Sequence, residues 1–173
     1  MKSPRKPTFL DTIRSRRSIR QYIKDSPKDK EIQQILEAGR WAPSGLNNQP
    51  WRFVVVKNKV IKSKLALLTK YARVINGAPI AICVFLDSGS SYNRDKDILA
   101  IGACIQNMLL CAHSQGLATC WLGEILNKKD EVSALLDVDS DYELMAVIAL
   151  GYSDEQVTKS CRKTLNSLTL GEY

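Results

Sequence analysis

Residues 43–51 read Pro-Ser-Gly-Leu-Asn-Asn-Gln-Pro-Trp, and this run lies between an apolar pattern of helical period and an apolar strand pattern. Its two prolines restrict the backbone, whereas its glycine permits conformations that other residues avoid. The side chains of Ser44, Asn47, Asn48 and Gln49 offer hydrogen-bond donors and acceptors. A plain turn would need only proline and asparagine. The density of polar groups favours instead a rigid loop that holds a ligand.

Helices and strands are predicted on both sides of this loop from the spacing of apolar residues. Helical spacing predicts helices at 8–16, 26–42 (with Ser26 as N-cap), 61–75, 95–115 and 128–136. Apolar runs predict strands at 51–56, 80–86, 117–122 and 144–150. The order predicts the α+β class: one domain over residues 1–173, with a mixed sheet of four or five strands flanked by helices.

The apolar stretch 98–112 has 15 residues, fewer than the roughly 20 that a membrane-spanning helix needs. We therefore expect a buried helix and no membrane association. Because the stretch is apolar nearly all round, it must be covered on every side, and a second copy of the chain could cover one of them.

Charge and composition narrow the class of partner. The net charge of +7 and the isoelectric point near 9.2 favour anions such as phosphates. Basic residues are scattered and no nucleic-acid-binding signature occurs, so we expect no nucleic-acid function. The five cysteines form no C-x-x-C pair and follow no secretory signal, which favours a reducing cytoplasm. A single histidine without clustered ligands predicts no metal site.

Two further segments have the composition of ligand sites. Arg16-Arg17-Ser18-Ile19-Arg20 can supply guanidinium groups and a hydroxyl to one phosphate, although a solvated basic face has the same composition. The segment 116–124 places Trp121 near Gly123 at the end of a predicted strand, where the backbone can approach a flat ring. The alternative for this segment is a core strand that leads into a loop.

Self-sufficient catalytic machinery is missing from the sequence. No G-x-G-x-x-G, P-loop or G-x-S-x-G pattern occurs, and no facing pair of carboxylates is evident. His113 falls within the apolar helix, where a structural role is expected. If the chain is an enzyme, a cofactor is expected to carry the difficult step.

In this order the segments resemble the nitroreductase family of FMN-dependent oxidoreductases, from about residue 12 to residue 168. The resemblance is carried by residues 16–22, 42–53, 102–107, 119–124 and 150–152. It implies an intertwined homodimer with FMN at the subunit interface. The chain departs from the family where many members have Arg-x-Pro, since it reads Arg162-Lys163-Thr164. Its segment 87–94 is also short, which implies a more open site.

The resemblance implies three sets of cofactor-binding residues and no catalytic side chain. Residues expected to hold the FMN phosphate and ribityl chain are Arg16, Arg17, Ser18 and Arg20, with Arg162 returning to the phosphate. Residues expected to line the isoalloxazine from the other subunit are Pro43, Ser44, Gly45 and Asn47. Residues expected to lie along the flavin are Trp121, Leu122, Gly123 and Glu124.

The implied reaction passes hydride from NADH or NADPH through flavin N5 to nitroaromatic, quinone or similar small-molecule acceptors. Two alternatives stay open at this point. One is a different reaction on the same fold, such as reductive dehalogenation or flavin fragmentation. The other is an FMN-binding protein that stores or senses flavin, or that an acidic electron carrier such as ferredoxin or flavodoxin reduces, which the basic charge would suit.

Overall fold

The computed structural model describes residues 8–157 and 160–172. The helices are α1 (Phe9–Ser15), α2 (Asp29–Arg40), α3 (Lys59–Ala66), α4 (Ala72–Gly77), α5 (Arg94–Ser114) and α6 (Lys129–Leu136). The strands are β1 (Trp51–Val56), β2 (Ile80–Asp87), β3 (Ala118–Leu122) and β4 (Tyr142–Gly151). These elements confirm the predicted α+β class.

The four strands form one sheet in the order β1-β2-β4-β3, and each neighbouring pair is antiparallel. The predicted mixture of parallel and antiparallel strands was wrong, since all three strand pairs are antiparallel. Among the described residues, a parallel bridge links Ser18 to Thr119 on β3. This bridge attaches the arginine cluster to the edge of the sheet.

Strand β2 is buried on both faces, as its continuous apolar run predicts. Ile82 and Val84 belong to a core shared with α2 and α5. Cys83 and Phe85 belong to a second core, which α3, α4 and α6 cover. Because side chains alternate along a strand, one sequence run supplies both layers.

Helix α5 is, within residues 8–157 and 160–172, the one helix long and apolar enough to cross a membrane. Its buried side chains, among them Ile101, Ile105 and Met108, belong to the core shared with α2 and the sheet. It is therefore packed as a core helix. Gly116 follows its C-cap with a φ of 76°, a conformation that glycine adopts without strain.

Two predicted boundaries were wrong. The helix predicted at 61–75 is split into α3 and α4, because Thr69 Oγ1 and Lys70 N donate hydrogen bonds to Glu124 instead of continuing a helix. The N-cap of α2 is Lys28 rather than Ser26. There the Glu31 carboxylate accepts a hydrogen bond from Lys28 N at 2.7 Å, a contact that apolar periodicity does not reveal.

Candidate functional site

The arginine cluster leaves α1 in an extended conformation and is fixed by neighbours on two sides. Ile19 N donates to Thr119 O on β3 at 2.9 Å. The Glu155 carboxylate, from the segment after β4, accepts hydrogen bonds from the backbone N–H groups of Arg20 and Gln21, each at 2.8 Å. The backbone of the cluster is thus held by the sheet edge and by the chain that follows the last strand.

A cavity of about 290 Å³ lies beside this segment. It is lined by Ser15, Arg16, Arg17, Ile19, His113, Leu117, Ala118, Thr119, Glu155, Gln156 and Val157. The Nε atoms of Arg16 and Arg17 are buried, and neither has a hydrogen-bond partner within residues 8–157 and 160–172. Buried donors of this kind are costly unless a partner satisfies them. Both arginines line the cavity, so an anion bound there would meet guanidinium groups whose donors are not all satisfied.

The charges around Arg16 support the same conclusion. Burial lowers the pKa of the Arg16 guanidinium, and the positive charges of Arg162 and Arg17 lower it further. Arg162 therefore lies close enough for its charge to act on Arg16, while its own Nη1 donates to Ser160 Oγ at 2.9 Å and to Cys161 O at 2.7 Å. Like charges gathered in a half-buried place favour a bound anion.

Ser18 and Arg20, which are also predicted to hold the FMN phosphate and ribityl chain, differ in their exposure to solvent. Ser18 is half-buried on the bridge to Thr119. The Arg20 side chain is exposed and donates to Ser18 O at 3.1 Å. Arg20 is therefore free to turn toward a ligand at lower desolvation cost than Arg16.

His113 faces the same cavity from the last turn of α5. Its Nε2 lies 2.7 Å from Ser15 Oγ, at the end of α1. Burial lowers the pKa of this imidazole, and the charges of Arg16 and Arg17 add to the effect. The sequence offered no signal for this proximity, because 93 or more positions of the chain separate the histidine from the arginine cluster.

The loop that begins at Pro43 has a strained backbone. Leu46, Asn47 and Gln49 have positive φ values of 54°, 54° and 48°. Such conformations are uncommon for residues other than glycine and persist where surrounding contacts impose them. Here Ser44 Oγ accepts a hydrogen bond from Gln49 N at 3.0 Å and closes the loop.

In the same loop, Gly45 packs closely against Tyr92. A Cβ on Gly45 would lie 1.8 Å from the Tyr92 hydroxyl oxygen, so a larger residue would displace one of them. Pro43 and Asn47 are exposed, whereas Ser44 and Gly45 are half-buried. The exposed face of the loop, including Leu46, is available for contact with another molecule.

Asn48 fastens this loop to the first turn of α5. Its Nδ2 donates to Asp97 Oδ1 at 2.8 Å and to Ser90 O at 2.9 Å. Asp97 is fully buried and also accepts from Ser91 Oγ at 2.7 Å and from the backbone N–H groups of Tyr92 and Asn93. Burial raises the pKa of this carboxyl, but the hydrogen bonds outweigh it and hold the pKa below its ordinary value.

The third predicted segment follows Thr119 along β3. Trp121 is half exposed at 42%, Leu122 is buried in the core, and Gly123 is exposed directly after the strand. The Glu124 carboxylate accepts hydrogen bonds from Thr69 Oγ1 at 2.7 Å and from Lys70 N at 3.0 Å. Its side chain is thereby used to hold the turn between α3 and α4.

The structure brings two of the three segments together within one chain. The arginine cluster and the Trp121 segment meet at β3, and Arg162 lies near Arg16. The loop at 43–51 is attached instead to the other end of α5. Its anchor Asp97 is sixteen residues from His113 on that helix, or about 24 Å along the helix axis.

Comparison with known proteins places these features in a family. The sequence model of the nitroreductase family matches residues 13–70 and 66–152. The chain belongs to the nitroreductase family. The matched residues include the arginine cluster, the loop at 43–51 and strand β3 with Trp121.

Individual relatives agree with this assignment. A protein of Methanothermobacter thermautotrophicus, provisionally named a NADH dehydrogenase/NAD(P)H nitroreductase, is 32% identical over 152 residues, which cover 87% of this chain and 80% of the relative. A solved structure from Desulfovibrio desulfuricans, described as a provisional nitroreductase in complex with FMN, is 42% identical with a TM-score of 0.91. It covers 99% of this chain and 98% of its own. An iodotyrosine deiodinase of Thermotoga neapolitana is 25% identical over 176 residues, which cover 87% of this chain and 91% of the relative.

Replacing Asp97 with asparagine should destabilise the protein, because the new amide would face donors that a carboxylate now satisfies. We expect D97N to lower the free energy of unfolding by about 2–4 kcal/mol. Chemical denaturation at one fixed protomer concentration measures this. Because the folded pKa lies below the ordinary value, the difference from wild type should be present above about pH 4 and shrink as pH falls further.

Asp95→Asn is the matched control, since Asp95 also lies in the first turn of α5 but is exposed. Both substitutions remove one negative charge near the same helix end. We expect D95N to change the free energy of unfolding by less than about 0.5 kcal/mol. Equal effects of the two substitutions would contradict the anchoring role of Asp97.

Proposed function

We propose that this chain is an FMN-dependent oxidoreductase that uses NADH or NADPH to reduce nitroaromatic, quinone or similar electron-poor acceptors. The observation that carries the proposal is the cavity with two buried, unpartnered guanidinium nitrogens, on Arg16 and Arg17, within the described residues. The relative in complex with FMN, at 42% identity over nearly the whole chain, supports FMN as the ligand.

The donor set at the cavity fits a phosphate group. Guanidinium groups match the geometry and charge of a phosphate oxygen pair and form strong, charge-assisted hydrogen bonds with it. In this proposal Arg16, Arg17 and Arg162 hold the phosphate, with Ser18 and Arg20 along the ribityl chain. Neutralisation by the phosphate would also relieve the repulsion that lowers the pKa of Arg16.

The flavin ring is proposed to lie along the end of β3. Trp121 is partly exposed there, and Gly123 presents a backbone without a side chain in the way. Leu122 faces the core, so its contribution would come through its backbone. Glu124 would act by fixing the turn after α3, since Thr69 and Lys70 already use its carboxylate.

FMN would supply the redox chemistry when bound, with N5 accepting hydride from the nicotinamide and the reduced ring passing electrons to the acceptor. The side chains would hold and orient the reactants, which lowers the barrier by fixing their relative geometry. None of the residues in the proposed site needs to act as a general acid or base.

A second copy of the chain is proposed to complete the site. The loop with Pro43, Ser44, Gly45 and Asn47 is attached about 24 Å along α5 from the end that bears His113. Because the loop and the arginine cluster are attached to opposite ends of this helix, the loop would line the flavin held by the arginine cluster of a partner. In this proposal a single domain over residues 1–173 forms an intertwined homodimer.

Exposed apolar side chains support the dimer. They are Phe9, Leu10 and Ile13 on α1, Leu99 on α5, and Leu165, Leu168 and Leu170 near the C-terminus, with exposures between 41% and 103%. Exposed apolar side chains in such number are typical of surfaces that another protein covers. All residues described between 160 and 172 are exposed in the single chain, which suits a segment that wraps a partner.

The cytoplasm is the compartment that we propose. All five cysteines are free thiols. Burial raises the pKa of the Cys83 and Cys104 thiols to about 12, so these two remain protonated and unreactive at neutral pH. Free thiols in this number suit a reducing environment.

Replacing Arg16 with alanine should weaken FMN binding, because a buried guanidinium that meets the phosphate would be lost. We expect the dissociation constant for FMN to rise at least about tenfold, while riboflavin, which has no phosphate, binds as before. Quenching of flavin fluorescence measures both constants. Arg14→Ala is the matched control, since Arg14 is exposed on α1 and its loss changes the net charge equally. FMN binding that R16A leaves unchanged would contradict the assignment of the phosphate site.

An anaerobic absorbance spectrum of the purified protein tests the function as a whole. We expect a flavin spectrum that bleaches when NADH or NADPH is added and returns when a nitroaromatic compound or a quinone follows. A flavin that neither nucleotide reduces would contradict the NAD(P)H-dependent reaction and favour reduction by an acidic electron-carrier protein, which the net charge of +7 suits. Absence of FMN binding would contradict the proposed cofactor.

A further inference from the structure

We propose that His113 is a positioning residue of the phosphate site, which fixes the end of α1 through Ser15 and adds positive charge to the cavity when protonated. The inference rests on the proposed FMN function. It concerns the single histidine of the chain, which lines the cavity together with Arg16 and Arg17.

Helix α1 needs such a link because it has no buried residue. Its apolar side chains Phe9, Leu10 and Ile13 are exposed in the single chain, so within one chain apolar burial contributes little to its position. In the proposed dimer a partner would cover these side chains, and the bond at Ser15 would still fix the residue next to Arg16. The hydrogen bond between Ser15 Oγ and His113 Nε2, at 2.7 Å, joins its last residue to the buried helix α5. Arg16 follows Ser15 directly, so this bond limits where the guanidinium can lie.

The hydrogen bond can persist when His113 is protonated. The Ser15 hydroxyl lies 3.4 Å from Thr12 O, to which it can donate. Its oxygen then accepts the Nε2–H of the imidazole, both in the neutral ring and in the imidazolium. A proton can therefore be added at Nδ1 while Ser15 stays bound.

The charged groups around the cavity determine when that proton is bound. Arg16 and Arg17 face His113 from the chain after α1, and Glu155 faces the cavity from the chain after β4. Glu155 already accepts two backbone hydrogen bonds, from Arg20 and Gln21. Burial lowers the pKa of His113 most, and the charges of Arg16 and Arg17 lower it further. A phosphate would offset their charge, so its binding should be coupled to proton uptake.

The position on α5 favours the charged ring as well. His113 is the basic residue of the last turn of this 21-residue helix. Cations near the C-terminal end of a helix interact favourably with its unpaired carbonyl groups. The helix end and the phosphate would thus both stabilise the imidazolium.

The test compares FMN with riboflavin as ligands for wild type, His113→Gln and His113→Ala, at about pH 5.5 and about pH 8. Glutamine can keep a hydrogen bond to Ser15 but cannot be protonated. We expect H113A to bind FMN about tenfold more weakly than wild type near pH 8, where the hydrogen bond is lost, and about thirtyfold more weakly near pH 5.5, where the charge is lost as well. H113Q should match wild type near pH 8 and bind FMN roughly threefold more weakly near pH 5.5. Riboflavin affinity should stay the same in every variant.

The comparison removes two complications. The second ionisation of a phosphate, near pH 6, affects all variants equally and cancels in the ratio to wild type. Ser114→Ala, next in sequence and exposed, is the control for a general change at the end of α5. Thermal unfolding of each variant checks that it remains folded. If H113A does not fold, the comparison of H113Q with wild type still tests the proposal.

The outcomes separate this inference from the proposed function. If wild type binds FMN and H113Q matches it at both pH values, the charge of His113 plays no part and the inference is overturned. If the variants lose riboflavin affinity in proportion, His113 only supports the fold, which also overturns it. If wild type itself does not bind FMN, the proposed function fails, and the inference fails with it.

Discussion

The packing of α5 between α2 and the sheet is the constraint on which the rest of the structure depends. This helix buries Ile101, Ile105 and Met108 in the core, so its two ends are fixed relative to each other. At one end Asp97 holds the loop at 43–51 through Asn48, and at the other His113 meets Ser15 beside the arginine cluster. The buried helix α5 thus fixes the distance between its contacts to the loop at 43–51 and to the arginine cluster.

The same constraint gives a physical reason for a dimer. Asp97 and His113, which contact these two segments, lie about 24 Å apart along the helix axis, and in the proposed dimer the loop of one copy meets the cluster of another. Strain in the loop is consistent with this role, since Leu46, Asn47 and Gln49 are kept at positive φ by internal contacts. The loop is therefore already ordered in the single chain. Association with a second copy would not include the conformational entropy cost of ordering it.

Periodicity predicted most of the fold because the apolar pattern reports burial directly. Strand β1 begins and ends at the predicted residues, and β2 extends its predicted run by one residue. The break between α3 and α4 was missed because it depends on Glu124, more than fifty positions along the chain from Thr69. A contact between distant residues leaves no periodic trace in either segment.

The candidate site was predictable in its parts and unpredictable in its arrangement. Short motifs predicted a ligand site at the arginine cluster, the polar loop and Trp121, since each has an unusual local composition, and the structure brings the first and third together at β3. Asp97 and His113 have no such signal, because an aspartate in a first helical turn and a histidine in a last turn are ordinary. Their contacts arise from where α5 places them, and the similar structure in complex with FMN indicates a cofactor that the composition alone does not identify.

Complementation between two defective chains tests the two-copy site most directly. One chain carries Arg16→Ala, and the other carries Gly45→Val, whose Cβ would collide with Tyr92 and displace the loop. The two are coexpressed with different tags, and the heterodimer is isolated and titrated with FMN. A site built from two copies predicts one intact site per heterodimer, with one FMN bound, whereas each variant homodimer binds little. If one chain supplied both elements, every site would carry a defect, and a heterodimer without restored binding would contradict the account.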